Sequence, residues 1–332
     1  MRAAPVLLAL VLLLPGLAGA ETIRLGVFVG NNVGLGEDVP LRHAEREAEE
    51  MARIFRVLGG IDRARAEVIV GQTADVLLDR LTLIDGRVQE ALDRGDDVML
   101  VLYYSGHAHE DALHLHGTEM PMTAVRAWLD RSPARIKIAF VDACESGVLA
   151  RAKGGTIAAP ISVGISDSLT VTGTAVITST GPTELARESD ALGGSVFSRA
   201  LITGLRGAAD DDSDGRITLA EAYRYAFSET IRGSAATGEA IQWPEHNFEL
   251  RGTGEVVLTR LADRAATLVF AEEQEGTYTV VALGNGETVA RVEKRPGESD
   301  RIGLPAGRYV VRKVRRTDVL VGEVDLIWGG NR

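Results

Sequence analysis

His107 and Cys144 are the two residues of this chain best suited to covalent chemistry. The histidine stands in "YYSGHAHEDALHLHG", residues 103 to 117, where four histidines crowd behind an apolar run. The cysteine stands in "VDACESG" behind another. A thiol beside an imidazole is the usual way to make a thiolate: the base takes the proton, or the ion pair lowers the thiol pKa. Cys144 is the only cysteine, so it builds no internal disulfide; it reads either as a small buried hydrophobe or as a reactive thiol. Backbone amides near "CESG" and the Gly106 turn could stabilise the oxyanion of a tetrahedral intermediate. The remaining histidines offer a metal reading. His114 and His116 are two apart on an expected strand, would share a face, and with His109 could ligate zinc. No further cysteine or histidine lies at finger or ribbon spacing, so the expectation is that three of the four histidines line or flank the mouth of a site.

Both residues need strands to carry them. "TIRLGVFVG" (22 to 30), "AEVIVG", "DDVMLVLYYSG", "RIKIAFVDAC" and "GTAVITST" are short β-rich runs. Between them, "LRHAEREAEEMARIFRVLGG", "TADVLLDRLTLIDGRVQEALDRG" and residues 121 to 131 show helical spacing. Continuous apolar strands alternating with helices predict an α/β fold with a mostly parallel sheet covered on both faces. Ligands of such sheets bind beyond the carboxyl ends of the strands, where "YYSGH" and "VDACESG" both sit. After residue 252 the pattern turns to short alternating runs such as "GTYTVVALGNGETVARVEK", with "GNGE" as a hairpin turn. This predicts a small all-β module over 253–332.

The first twenty residues, with Arg2, an apolar stretch and small residues at Ala18 and Ala20, read as a secretory signal peptide. The mature chain is then expected to be exported, with no later segment long and apolar enough to span a membrane. A hydrophobic fraction of 45% supplies a core, and the net charge of −11 without a basic patch makes nucleic acid an unsuitable partner.

"YYSGHA" and "VDACESG", in that order on consecutive strands, resemble the caspase and metacaspase superfamily of cysteine peptidases, over about residues 21–252. The resemblance implies protein or peptide substrates, His107 as general base, Cys144 as nucleophile, and a dyad needing no third member. It places the backbone amides of Ala108 and Cys144 in the oxyanion hole, and Asp142 in the pocket for the residue before the scissile bond. Glu47 falls where metacaspases usually have a second acid, and its other reading is a solvated charge on an acidic helix face. Two carboxylates in one pocket would favour Arg or Lys, by charge and by bidentate pairing to Arg. Two residues depart from the family pattern: Ala108 stands where glycine is usual and Glu145 where histidine is frequent. The alternative is therefore a catalytically silent caspase-like binding protein.

"DDDSDGRITLAE", residues 210 to 221, follows the EF-hand loop pattern. Asp210, Asp212 and Asp214 occupy positions one, three and five, Gly215 six, Arg216 seven through its carbonyl, and Glu221 twelve. Flanking helical runs complete the context, and Ca²⁺ in a structural or activating role is expected. An Asp-rich turn capping the next helix is the other reading. The Gly-rich stretch 147 to 168 reads as an exposed loop, with Arg151 and Lys153 as candidate self-processing sites.

Overall fold

The computed structural model describes residues 22–109, 111–144, 171–181, 188–189, 194–235, 241–261, 266–297, 300–315 and 317–327. The expected signal peptide, Glu145, Arg151 and Lys153 lie outside them. Strands β1 (Thr22–Gly30), β2 (Ala66–Val70) and β3 (Asp97–Ser105) alternate with helices α1 (Ala44–Val57) and α2 (Ala74–Asp93). A small antiparallel sheet follows, β4 (His107–His109), β5 (Ala112–Leu115) and β6 (Thr118–Pro121), then α3 (Met122–Arg131), β7 (Ile136–Asp142) and β8 (Thr172–Thr178). The short strands β9 (Glu188–Ser189) and β10 (Gly194–Ser195) precede α4 (Val196–Thr203). Next come β11 (Arg216–Thr218), α5 (Leu219–Ala235), β12 (Glu245–Arg251) and β13 (Val257–Arg260).

The central sheet runs β12-β8-β7-β3-β1-β2, parallel throughout except for β12, which lies antiparallel at one edge. Its strands are apolar on both faces because both faces are covered. Alternation sends Tyr103 into one core with Phe28, Met51, Phe55 and Phe197, and Tyr104 into the other with Leu25, Ile84 and Trp128. The fold is thus the expected α/β arrangement with a mostly parallel sheet. Among the described residues, no helix is long and apolar enough to cross a membrane.

Among the described residues, six antiparallel strands follow: β14 (Ala266–Phe270), β15 (Gly276–Ala282), β16 (Thr288–Lys294), β17 (Asp300–Leu304), β18 (Gly307–Val314) and β19 (Val319–Leu326). The β14-β17 pair and the β16-β15-β18-β19 sheet share a core of Leu268, Phe270, Val280, Val292, Ile302 and Leu304. The "GNGE" turn joins β15 to β16 as a hairpin, with Gly286 at φ +71°. Strand β13 pairs instead with β11, and Leu258 enters the first core.

An open sheet edge exposes unpaired backbone groups. At β16 that edge meets two arginines from the helical layer: Arg199 Nη2 donates to Thr288 O at 2.6 Å, and Arg206 Nη1 donates to Val289 O. Both guanidiniums also pair with the buried Glu50 of α1, at 2.5 Å from Arg199 and 3.0 Å from Arg206. Burial would push the Glu50 carboxyl up, but the two arginines outweigh it and hold the group below its ordinary range.

Candidate active site

The ends of β3 and β7 are in register, Ser105 opposite Asp142, and Gly106 N donates to Asp142 O at 3.2 Å. His107 and Cys144 each follow this register pair by two residues, so both lie just beyond the ends of neighbouring parallel strands. The chain before Cys144 is fixed by β8: Ser179 N donates to Val141 O at 2.9 Å, and Ser179 Oγ and Thr180 Oγ1 donate to Ala143 O at 3.3 and 3.0 Å. Gly106 allows the close approach under His107, because a Cβ there would lie 2.6 Å from Tyr104 Oη. That hydroxyl stands 2.7 Å from the His107 carbonyl and 3.1 Å from the His114 carbonyl. Its pKa is raised by burial, then by the charges of Asp38 and Cys144. His107 Nε2 is buried and has no hydrogen-bond partner among the described residues. Cys144 is half-buried. Ala108 is buried in β4 and does not adopt a positive φ, so alanine fits there without backbone strain.

Asp142 and Glu47 lie beside this point, 3% and 1% exposed, so neither is a solvated surface charge. Ser195 N donates to Glu47 Oε1 at 2.6 Å and Ser105 Oγ to Glu47 Oε2 at 2.8 Å. Asp142 Oδ2 accepts from Ser195 Oγ, from Ser198 Oγ at 2.5 Å and from Ser198 N at 3.2 Å. Tyr103 Oη backs Ser198 Oγ at 2.5 Å. Burial, then the charge of Asp142, pushes Glu47 up to about 8 against the pull of Ser195, Ser105 and Arg199. Burial raises Asp142 as well, although Ser195 and Ser198 oppose it. Two carboxylates buried so close together resist ionising at the same time. The serines that hold them carry no distinguishing sequence signal beyond "GGSVFSRA" at a helix start, where Ser195 caps α4 by accepting from Ser198 N.

The expected pairing of His114 with His116 on one strand face is corrected. Strand β5 ends at Leu115, and His116 sits in the following turn at φ +48°, exposed, while His114 is buried. His114 Nδ1 lies 2.7 Å from Asp38 Oδ2 rather than facing another histidine. His109 is exposed. Among the described residues, the group with converging metal-ligand atoms is Asp210, Asp212 and Asp214, not the histidines.

The family model described as "Caspase domain" matches residues 23–248. The chain belongs to the caspase-domain family. Caspase-1 from Spodoptera frugiperda is similar in structure at a TM-score of 0.48 and 12% identity, covering 73% of this chain and 91% of that one. A comparison with curated proteins finds no match. The matched span contains the central sheet, His107, Cys144, Asp142 and Glu47, and ends inside β12.

Within the caspase domain, the 210–221 loop joins α4 and its π-helical extension Gly204–Ala208 to α5. Carboxylate oxygens of Asp210, Asp212 and Asp214 lie within 4.8 Å of one another. Asp210 Oδ2 accepts from Gly215 N at 3.1 Å, and Gly215 makes the sharp turn at φ +77°. Asp210 Oδ1 is buried without a hydrogen-bond partner. Burial, then Asp214, Glu221 and Asp212, pushes Asp210 up to about 6. Glu221 is not drawn into that group: its Oε2 accepts from Thr218 N at 2.8 Å and Thr218 Oγ1 at 2.7 Å, a capping box at the start of α5. The Arg216 guanidinium pairs with Asp214 at 2.6 Å. Three crowded carboxylates, one with an orphan oxygen, fit a hard divalent cation.

Proposed function

We propose that this chain is a cysteine endopeptidase that uses His107 and Cys144 and cleaves after Arg or Lys. The observation that carries the reading is the placement of both residues two positions beyond a register pair, with the buried carboxylates of Asp142 and Glu47 at the same strand ends. His107 takes the Cys144 proton, and the thiolate attacks the scissile carbonyl. Amides of Ala108 and Cys144 receive the oxyanion. The imidazolium then protonates the departing amine, leaving a thioester that water, activated by the same ring, hydrolyses. A guanidinium placed between the two carboxylates offsets one of their two charges and eases their mutual repulsion, and its planar fork suits paired acids better than an ammonium does.

Removal of residues 1 to 20 and export belong to this proposal, as does Ca²⁺ held by Asp210, Asp212 and Asp214 with the Arg216 carbonyl. Glu221 would join after leaving its capping bonds. The cation would stiffen the turn that orients α5, and the dyad does not require it. Treatment with an arginyl acyloxymethyl ketone tests the reading. Mass spectrometry should find one adduct, on Cys144, abolished in His107→Ala. Equal labelling in that variant, or none in the wild type, would favour the silent binding protein.

A further inference from the structure

Three side chains form a row across the small sheet: His107 of β4 opposes His114 of β5, which opposes Glu119 of β6. Directly opposed residues of antiparallel strands present their side chains on one face, with Cβ atoms about 5 Å apart. Over this face folds the loop after β1, tied down by His116 N to Val33 O and Gly117 N to Gly34 O, both 2.8 Å. The loop brings Asp38, whose Oδ2 lies 2.7 Å from His114 Nδ1 and accepts Leu35 N at 2.6 Å. A carboxylate only accepts, so His114 Nδ1 carries the hydrogen and the ring is committed to holding Asp38. The carboxylate is only 18% exposed, and the histidine it pairs with is the cross-strand partner of His107.

We propose that Asp38, held by His114, is a positioning residue that stabilises the protonated ring of His107 and so favours the thiolate of Cys144. The inference rests on the dyad reading and adds a member to it. Burial would raise the Asp38 carboxyl, yet the bonds from His114 and Leu35 and the charges of His107 and His114 hold it below its usual range, so it stays charged through neutral pH. The titratable groups around His107 are His114 opposite it on β5, Asp38 on the ring of His114, Glu119 opposite His114 on β6, Tyr104 at the His107 carbonyl, and Cys144 beyond the neighbouring strand end. Of these, Asp38 and Glu119 are the anions, and Glu119 is 56% exposed and screened by water.

The test is a proton titration of the histidine rings by NMR in a Cys144→Ala background, with His107 assigned from its loss in His107→Gln. Asp38→Asn, nearly isosteric, should move the His107 titration to lower pH. His114→Phe, which fills the buried space without donating, should shift it in the same direction. In otherwise native protein, Asp38→Asn should lower kcat on an Arg peptide about tenfold with KM unchanged. A His107 titration unmoved by Asp38→Asn would overturn the proposal; if that variant does not fold, an unmoved titration in His114→Phe would do so. A shifted titration in a protein without peptidase activity would sink the peptidase reading alone.

Discussion

Glu47 and Asp142 meet at Ser195, whose amide donates to Glu47 at 2.6 Å while its hydroxyl donates to Asp142. One residue thus holds two acids that burial keeps from ionising freely, and a basic side chain would relieve both. The Glu47 carboxyl is pushed up to about 8, first by burial and then by Asp142. Arginine binding favours the charged form, so below that pH it releases a proton and is opposed by acid. The ratio of kcat/KM for Arg over citrulline peptides, which cancels the dyad's own titration, should climb as pH rises to about 8 and then level. Glu47→Gln should flatten the climb and lower kcat/KM for Arg about 10- to 100-fold, the worth of a hydrogen bond to a charged group. A ratio independent of pH in the wild type would remove Glu47 from the pocket chemistry.

Glu50, one turn on from Glu47, anchors the β module through Arg199 and Arg206. Arg199→Met removes one partner of a buried carboxylate and uncovers the β16 edge, so urea unfolding should show a loss of about 3–5 kcal/mol. Arg94→Ala, which breaks an exposed pair with Asp96, should cost less than about 1 kcal/mol. Similar losses in both variants would contradict the clamp.

For the acidic loop, millimolar Ca²⁺ should raise the melting temperature by binding the folded state. Asp212→Ala should abolish the rise. Because Glu221 begins in a capping box with Thr218, Mg²⁺, which tolerates fewer protein ligands, should raise it less. No shift with Ca²⁺ would leave the loop as a cap for α5.

The resemblance to the caspase superfamily would put a glycine at Ala108, yet the backbone there is not in the left-handed region. Ala108→Gly should therefore change kcat less than about threefold, while loosening β4 slightly. A large gain would show that the alanine restrains the oxyanion site.

Apolar runs alternating with amphipathic helices made the sheet and its order of elements legible, since strands buried on two faces cannot be polar. The motifs put His107 and Cys144 just beyond two strands, and those strands are parallel neighbours in register, so their carboxyl ends lie together. Burial of Glu47 was not legible: Glu45, Glu47, Glu49 and Glu50 form one acidic run, and only tertiary contacts separate Glu47 and Glu50 from the exposed Glu49. The same holds for Asp38, a loop acid whose partner His114 lies far along the chain. His116 misled because a strand pattern does not mark its last residue, and the turn takes it to positive φ. Strand β13 read as part of the module because "GEVVLTRL" does not specify its pairing partner, here β11.

The most direct test of the account is hydrolysis of two fluorogenic peptides, one ending in Arg and one in Asp, by the mature protein and by Cys144→Ala. The account predicts cleavage after Arg, none after Asp, and loss of all turnover in the variant. Cleavage after Asp, turnover that survives in Cys144→Ala, or a folded protein inert to both peptides would contradict it.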